Sequence, residues 1–320
     1  MLIGGDGLDL PRNSQGVALI GDPRNDVHII AAHLHLALLH AHNGLVGLLS
    51  ADGVPDVDLF DTARQALTWH YQWIVVHDFL PRLVGSELAD EVLVRGGRYF
   101  NPAPVDAYLP LEFADAAYRY GHGQIRHAYQ LQPGGPEYAL FPDLASFGPI
   151  TQEHRMDPGQ ILDLPGHIPA QRAKAMDGGL PASLINLPHQ VTGDVDVDAY
   201  RSLAVRDLLR GSATRLPSGE TVAKETGVLP LSEDEVGQGW APGTPLWFYI
   251  LKEAQVRGGG NQLGPVGGRI VTEVLIGLLR ADRCSYLNAR PLWTPTLPRH
   301  GGANFGLADL LLFAADTATG

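Results

Sequence analysis

Three observations predict a mainly α fold with long irregular loops. Several segments repeat apolar residues at three- to four-residue intervals, the spacing that gathers them on one face of a helix. No convincing run alternates apolar and polar residues, so strands are not expected. Glycine (38) and proline (24) are frequent, yet hydrophobic residues make up 45% of the 320-residue chain, enough to bury a core. The breakers therefore read as long connections between helices rather than as disorder. There is no internal repeat, and the helical pattern is read as one domain.

The formal net charge of −12 argues against a nucleic-acid footprint. The single cysteine, Cys284, excludes an internal disulfide and a cysteine zinc cluster, and is expected to pack as a small hydrophobe. The most apolar window, 29–49, is interrupted by His33, His35, His40, His42 and Asn43, so it is not read as a membrane span. The first sixteen residues lack a basic stretch followed by an apolar one, so no secretory leader is read there.

Residues 1–23 read as loop, punctuated by Gly4-Gly5, Asp6-Gly7, Pro11 and Asp22-Pro23. Asn25 or Asp26 is expected to cap a long helix running to about residue 50, with Leu34, Leu38, Leu45 and Leu48 on its buried side. His28, His35 and His42 recur at seven-residue spacing on that helix, with His33 and His40 on another side. No HExxH pair or carboxylate cluster accompanies them, so buried, hydrogen-bonded histidines are expected rather than a metal site. A second helix over 59–84 carries Ala66, Trp69, Trp73, Val76 and Leu80 as a core stripe and stops at Pro81 and Gly85. Residues 86–110 read as loop.

The stretch 111–131 is predicted to be one helix, with Phe113, Ala117, Tyr120, Ile125 and Ala128 on one face. It contains Arg119-Tyr120-Gly121-His122. A mid-helix glycine costs about 1 kcal/mol against alanine, which suggests that something flat or bulky needs the space beside His122. Taken alone, the stretch reads rather as a helix glycine for close packing beside a hydrogen-bonded histidine. Residues 132–160 are loop. Between Pro181 and Pro188 at most one helical turn fits, and the acidic run 193–198 lacks the spacing of a calcium loop. Helices follow at 199–211, 221–226, 244–256, 263–279 and 307–314, with 280–304 as loop. Gly267-Gly268 has no GK[ST] and no preceding strand, so it reads as a close helix contact and not a phosphate loop.

Three segments, in order, carry the chemistry: Gly21-Asp22-Pro23-Arg24-Asn25-Asp26 followed by Leu38-Leu39-His40-Ala41-His42-Asn43; Arg119-Tyr120-Gly121-His122; and Leu203 to Gly211 followed by Leu216-Pro217-Ser218-Gly219. As an ordered set they resemble the animal-type haem peroxidase (peroxidase–cyclooxygenase) family, in its bacterial form. The resemblance covers nearly the whole chain and implies a single-domain, animal haem peroxidase-like helical fold over 1–320, with 1–23 as a lead-in loop and a helical core over about 24–315.

The resemblance also implies roles. His122 matches the proximal histidine, whose neutral imidazole binds the haem iron. Asp207 matches the side chain that accepts a hydrogen bond from that histidine's other nitrogen; a carboxylate there pushes electron density onto the imidazole and favours oxidised iron. The other reading of Asp207 is a surface ion pair with Arg206 or Arg210. Arg210 and Arg119 match positions near haem propionates, where a guanidinium makes paired hydrogen bonds. Arg24 matches the distal arginine, whose charge stabilises the leaving oxygen as peroxide splits; outside the ordered set it reads as a solvated loop arginine.

Two departures qualify the match. The family's distal histidine lies in a Gln…Asp-His-Asp motif upstream of the Asp-Pro-Arg segment, and no such motif precedes Arg24, so the fold is expected to be N-terminally incomplete and the family's calcium site is not expected in this chain. Val27 stands where relatives often have a glutamate that esterifies the haem, so a non-covalent haem b is implied. The implied reactants are hydrogen peroxide and a small organic or halide substrate. A degenerate haem-binding member and a cofactor-free helical interaction protein are the alternatives. A fatty-acid oxygenase would need a substrate-oxidising tyrosine that no pattern here singles out. Oligomeric state and compartment stay open; relatives are often exported, and an incomplete N-terminus would hide a leader.

Overall fold

The computed structural model describes residues 1–145, 148–240 and 243–318. In chain order its main elements are α1 (Ile29–Ala51), α2 (Asp56–Ile74), a π turn (Val75–Phe79), α3 (Leu80–Val84), α4 (Ser86–Arg95), β1 (Ala128–Gln130), β2 (Glu137–Ala139), α5 (Leu203–Ala213), α6 (Gly219–Glu225), α7 (Leu246–Arg257), α8 (Pro265–Ala281) and α9 (Leu307–Ala318). Single helical turns punctuate the connections. The mainly α fold with long loops is as the sequence predicts. The chain forms two compact units, Met1–Asp78 with Ala128–Arg172 and Thr294–Gly320, and Phe79–His127 with Ala173–Trp293.

In the first unit α1 packs on α2 and α9 around Ala41, Leu45, Ile74, Leu310 and Phe313. The α1–α9 contact is close because Gly44 lacks a side chain: a Cβ there would lie 2.3 Å from Thr317. By length and composition α1 is apolar enough to cross a membrane. It behaves here as a core helix, with Ala41, His42 and Leu45 buried. Its expected capping by Asn25 or Asp26 is not observed: residues Pro23–Asp26 form a separate 3-10 turn capped by Asp22, and α1 starts at Ile29. The reason is that buried Asp26 is taken by Arg12, whose NH1 and NH2 each reach it at 2.7 Å while its Nε holds Asp9 at 2.8 Å. That cluster fastens the N-terminal loop. The α1 histidines are mostly hydrogen-bonded, as expected: His33 Nε2 accepts from Met156 N, and His40 Nε2 donates to the carbonyl of Gly7. Two short strands pair antiparallel here, Tyr129 opposite Tyr138, across a turn in which Gly134 takes φ +69°. The sequence reading of no strands misses this hairpin because three residues per strand are too few to show alternation.

The second unit is built around α7, which packs on α5, α6 and α8 and on the 3-10 turn Ala117–Gln124. Its core includes Leu246, Trp247, Tyr249, Ile250, Leu251 and Ala254. Gly267 is indeed a close helix contact: a Cβ there would come within 2.7 Å of Ile250. Residues 86–110, read as loop, contain α4, whose Ala89 and Val92 are buried. Cys284 is exposed in the turn after α8 rather than packed.

Candidate functional site

The stretch 111–131 is not one helix. It is a turn at Leu111–Ala114, a break at Ala116 (φ −138°, ψ −72°), the 3-10 turn Ala117–Gln124, and then β1. Glycines at 121 and 123 weaken α-helical continuity, and the tighter winding changes which side chains align. A 3-10 helix has about three residues per turn, so positions i and i+3 eclipse. Ala117, Tyr120 and Gly123 thus form the buried edge, with Gly123 against Leu251 and Met176. By the same geometry Arg119 and His122 share an edge, and both reach one carboxylate.

That carboxylate is Asp207, in the middle of α5 and fully buried. Its Oδ2 lies 2.6 Å from His122 Nδ1, and its Oδ1 accepts from Arg119 NH1 at 3.0 Å. A buried carboxylate is costly unless paired and hydrogen-bonded, and these two partners meet that need. The alternative of an Asp207 pair with Arg206 or Arg210 is overturned. Arg119 is fixed further by its Nε–H bond to the carbonyl of Ala114 at 3.0 Å, and its own carbonyl accepts from Trp247 Nε1 at 3.2 Å.

A carboxylate acceptor at Nδ1 requires the proton there, which leaves the Nε2 lone pair of a neutral imidazole free. Nε2 has no hydrogen-bond partner among the described residues. The His122 side chain is 30% accessible, so this nitrogen belongs to a side chain that is neither sealed in nor fully solvated. Beside it, a Cβ at Gly121 would meet nothing within 4 Å. A cavity of about 320 Å³ is lined by Asp207, Gly211, Ser212, Pro217, Leu246 and Trp247.

Arg210 is exposed, with NH1 3.8 Å from Asp115. Asp115 also lies 3.9 Å from Arg119 and is itself nearly buried. Sequence reading missed Asp115 and Trp247. The i, i+4 spacing of Asp115 and Arg119 was the available signal; Trp247 gave none beyond its place on an apolar helix. Arg24 belongs to the first unit. Its side chain is 86% accessible and its guanidinium is held by Asp22, with Nε–Oδ1 at 2.9 Å. Those hydrogen bonds pull the Asp22 carboxyl down to about 2.

The donor set suits a particular kind of ligand. No group of three or more His, Cys, Asp or Glu side chains able to hold a metal occurs among the described residues. A metal bound at His122 Nε2 would therefore take its remaining ligands from a group that carries them, such as a porphyrin. An imidazole oriented by a buried carboxylate, with cleared backbone beside it, fits an axial ligand to such a group.

The fold is mainly helical, with His122 and Arg119 gathered on one buried carboxylate. A sequence profile described as animal haem peroxidase matches residues 6–188, more than half of the chain, and the chain belongs to that family. Asp207 and Arg210 lie beyond the matched stretch. A peroxidase-like protein of Margaritifera margaritifera is 32% identical over 127 residues, 36% of this chain and 15% of that protein. The chorion peroxidase of Drosophila melanogaster is 28% identical over 118 residues, 35% of this chain and 15% of that protein. The matches thus span about 15% of the length of these curated relatives. Among solved structures, peroxidase A of Dictyostelium discoideum aligns with a TM-score of 0.63 at 18% identity, over 92% of this chain and 58% of that one. The fatty acid alpha-dioxygenase of Oryza sativa aligns with a TM-score of 0.65 at 16% identity, over 99% and 57%. At such identities the structural likeness shows the fold.

Proposed function

We propose that this chain is a haem-dependent peroxidase that oxidises a small organic or halide substrate with hydrogen peroxide. In this reading residues 1–320 form one peroxidase-like domain, and haem b is bound non-covalently. The observation that carries it is the Arg119–Asp207–His122 arrangement, which presents an oriented, unpartnered Nε2 beside open space at Gly121. When bound, haem supplies the redox-active iron.

The chain's own residues have definite tasks. Asp207 holds the Nδ1 proton and fixes the ring orientation; a carboxylate acceptor also makes the imidazole a stronger donor. Arg119 holds Asp207 in place by hydrogen bonding to its other oxygen. Arg210, exposed and only loosely held at 3.8 Å by Asp115, is the cation available for a propionate. Arg24 would stabilise charge on the leaving oxygen of peroxide, which requires its release from Asp22.

The test is reconstitution of the full chain with haem, followed by peroxide-dependent dye oxidation. The expected result is a Soret band lost in His122→Ala, and turnover in the wild type. A bound haem without turnover would show the degenerate relative instead. Failure of the wild type to take up haem, with unchanged melting, would overturn the reading, since a ligand specific to the native state must stabilise it.

A further inference from the structure

The second unit contains another cavity, of about 350 Å³, between the segment from Tyr99 to Glu112, α6 and α8. That volume lies in the range of small-molecule sites. We propose that it binds an aromatic ammonium cation, an apolar ring carrying a protonated amine. The proposal does not depend on haem.

The aromatic wall is preformed. Phe100 is buried and seated on α8 at Gly277, where a Cβ would lie 2.7 Å from its ring. Tyr108 meets Phe100 edge-on with ring centroids 5.3 Å apart. Tyr99 donates its hydroxyl to the carbonyl of Glu225 at 3.2 Å, tying the wall to the end of α6. One face of Tyr99 already carries a cation: the Arg98 guanidinium sits 5.3 Å from its ring centroid. Tyr108 is exposed, so it is the ring that an incoming cation can reach.

The charge balance selects the sign of the ligand. The cation lining the cavity is Arg269, and it is already satisfied: NH1 reaches Glu273 and NH2 reaches Glu91, each at 3.2 Å. Glu273 in turn accepts from the backbone N–H groups of Tyr99 and Phe100 at 2.7 and 3.0 Å. Two further carboxylates, Glu112 and Glu225, line the cavity without a side-chain hydrogen bond or ion pair among the described residues. The neighbouring cations Arg98 and Lys224 are exposed and do not line it. An apolar anion would meet two uncompensated negative charges; an aromatic ammonium would meet two partners and a π face.

The test titrates the full-length chain with phenethylammonium and, separately, with the neutral 3-phenylpropan-1-ol, followed by calorimetry. The cation should bind saturably, with the alcohol about tenfold weaker or more. Glu112→Gln with Glu225→Gln, both at accessible positions, should weaken the cation about tenfold and leave the alcohol unchanged, and Tyr108→Ala should weaken both. Circular dichroism checks that the variants fold. Equal binding of the two probes, wild-type affinity in the double glutamine variant, or no saturable binding of the cation would each overturn the proposal.

Discussion

Two arginine–aspartate pairs contain residues that the sequence singles out, Arg24 in one and Arg119 and Asp207 in the other, and they differ in burial. Arg119 and Asp207 meet 3.0 Å apart with the carboxylate fully buried. Arg24 and Asp22 meet closely too, but the arginine is 86% accessible. Contact distance alone does not separate them; burial does. A buried carboxylate that lost its partners would keep its desolvation cost, so breaking the Arg119–Asp207–His122 group is costly. An exposed pair contributes little and is easily opened. One pair suits a fixed brace. The other leaves its arginine open to solvent.

Removing the brace should give the largest effect. Asp207→Ala strands the Nδ1–H of His122 and the Arg119 guanidinium, and should cost about 3 kcal/mol in chemical denaturation. Haem affinity should fall roughly 10- to 100-fold. Asp207→Asn keeps an acceptor for Nδ1–H and should lose much less. Similar losses for both would mean that the acceptor is not what matters. Arg24→Ala sharpens the other side: no measurable change in melting temperature, but peroxide turnover reduced roughly 100-fold if the arginine acts as proposed. Unchanged turnover would return Arg24 to the role of a solvated loop residue.

Glu253 tests what weaker pairing does to a buried carboxylate. It accepts from the backbone N–H groups of Val266 and Gly267 at 2.9 and 3.3 Å, with Arg257 3.4 Å away. Burial outweighs those partners and raises it from 4.5 to about 7. The folded state then binds the proton more tightly than the unfolded chain. Stability attributable to Glu253 is therefore fully present below about pH 4.5 and is lost as pH rises through about 7, by roughly 3 kcal/mol. Glu253→Gln should flatten that part of the pH–stability curve; an unchanged slope would assign it to other groups. The smallest effect belongs to Asp22, lowered to about 2 mainly by its hydrogen bonds to Arg24. Its contribution is present above the unfolded carboxyl value and is lost as pH falls through about 2. In Arg24→Ala its NMR titration should return to the ordinary range.

How much was legible follows from these particulars. The long helices were, because α1, α2, α7 and α8 repeat apolar residues often enough to show a period. Their starts were less so: Asp26 has the chemistry of a cap, but Arg12, fourteen residues earlier, claims it. The stretch around His122 was assigned the wrong helix type, since α and 3-10 periods differ by little over eight residues. That difference is what aligns Arg119 with His122. The pairing of His122 with Asp207 spans 85 positions; no local pattern reports it, and it entered through family resemblance. Asp115 and Trp247 had no such resemblance and were missed.

The proposed ligation of iron by His122 Nε2 is tested most directly by a spectroscopic haem titration of the wild type beside His122→Gly, with and without added imidazole. The wild type should saturate at one haem per chain with a histidine-ligated spectrum. His122→Gly should lose that spectrum and regain it with imidazole. An identical histidine-ligated spectrum in His122→Gly without imidazole would place the iron on another residue and contradict the account.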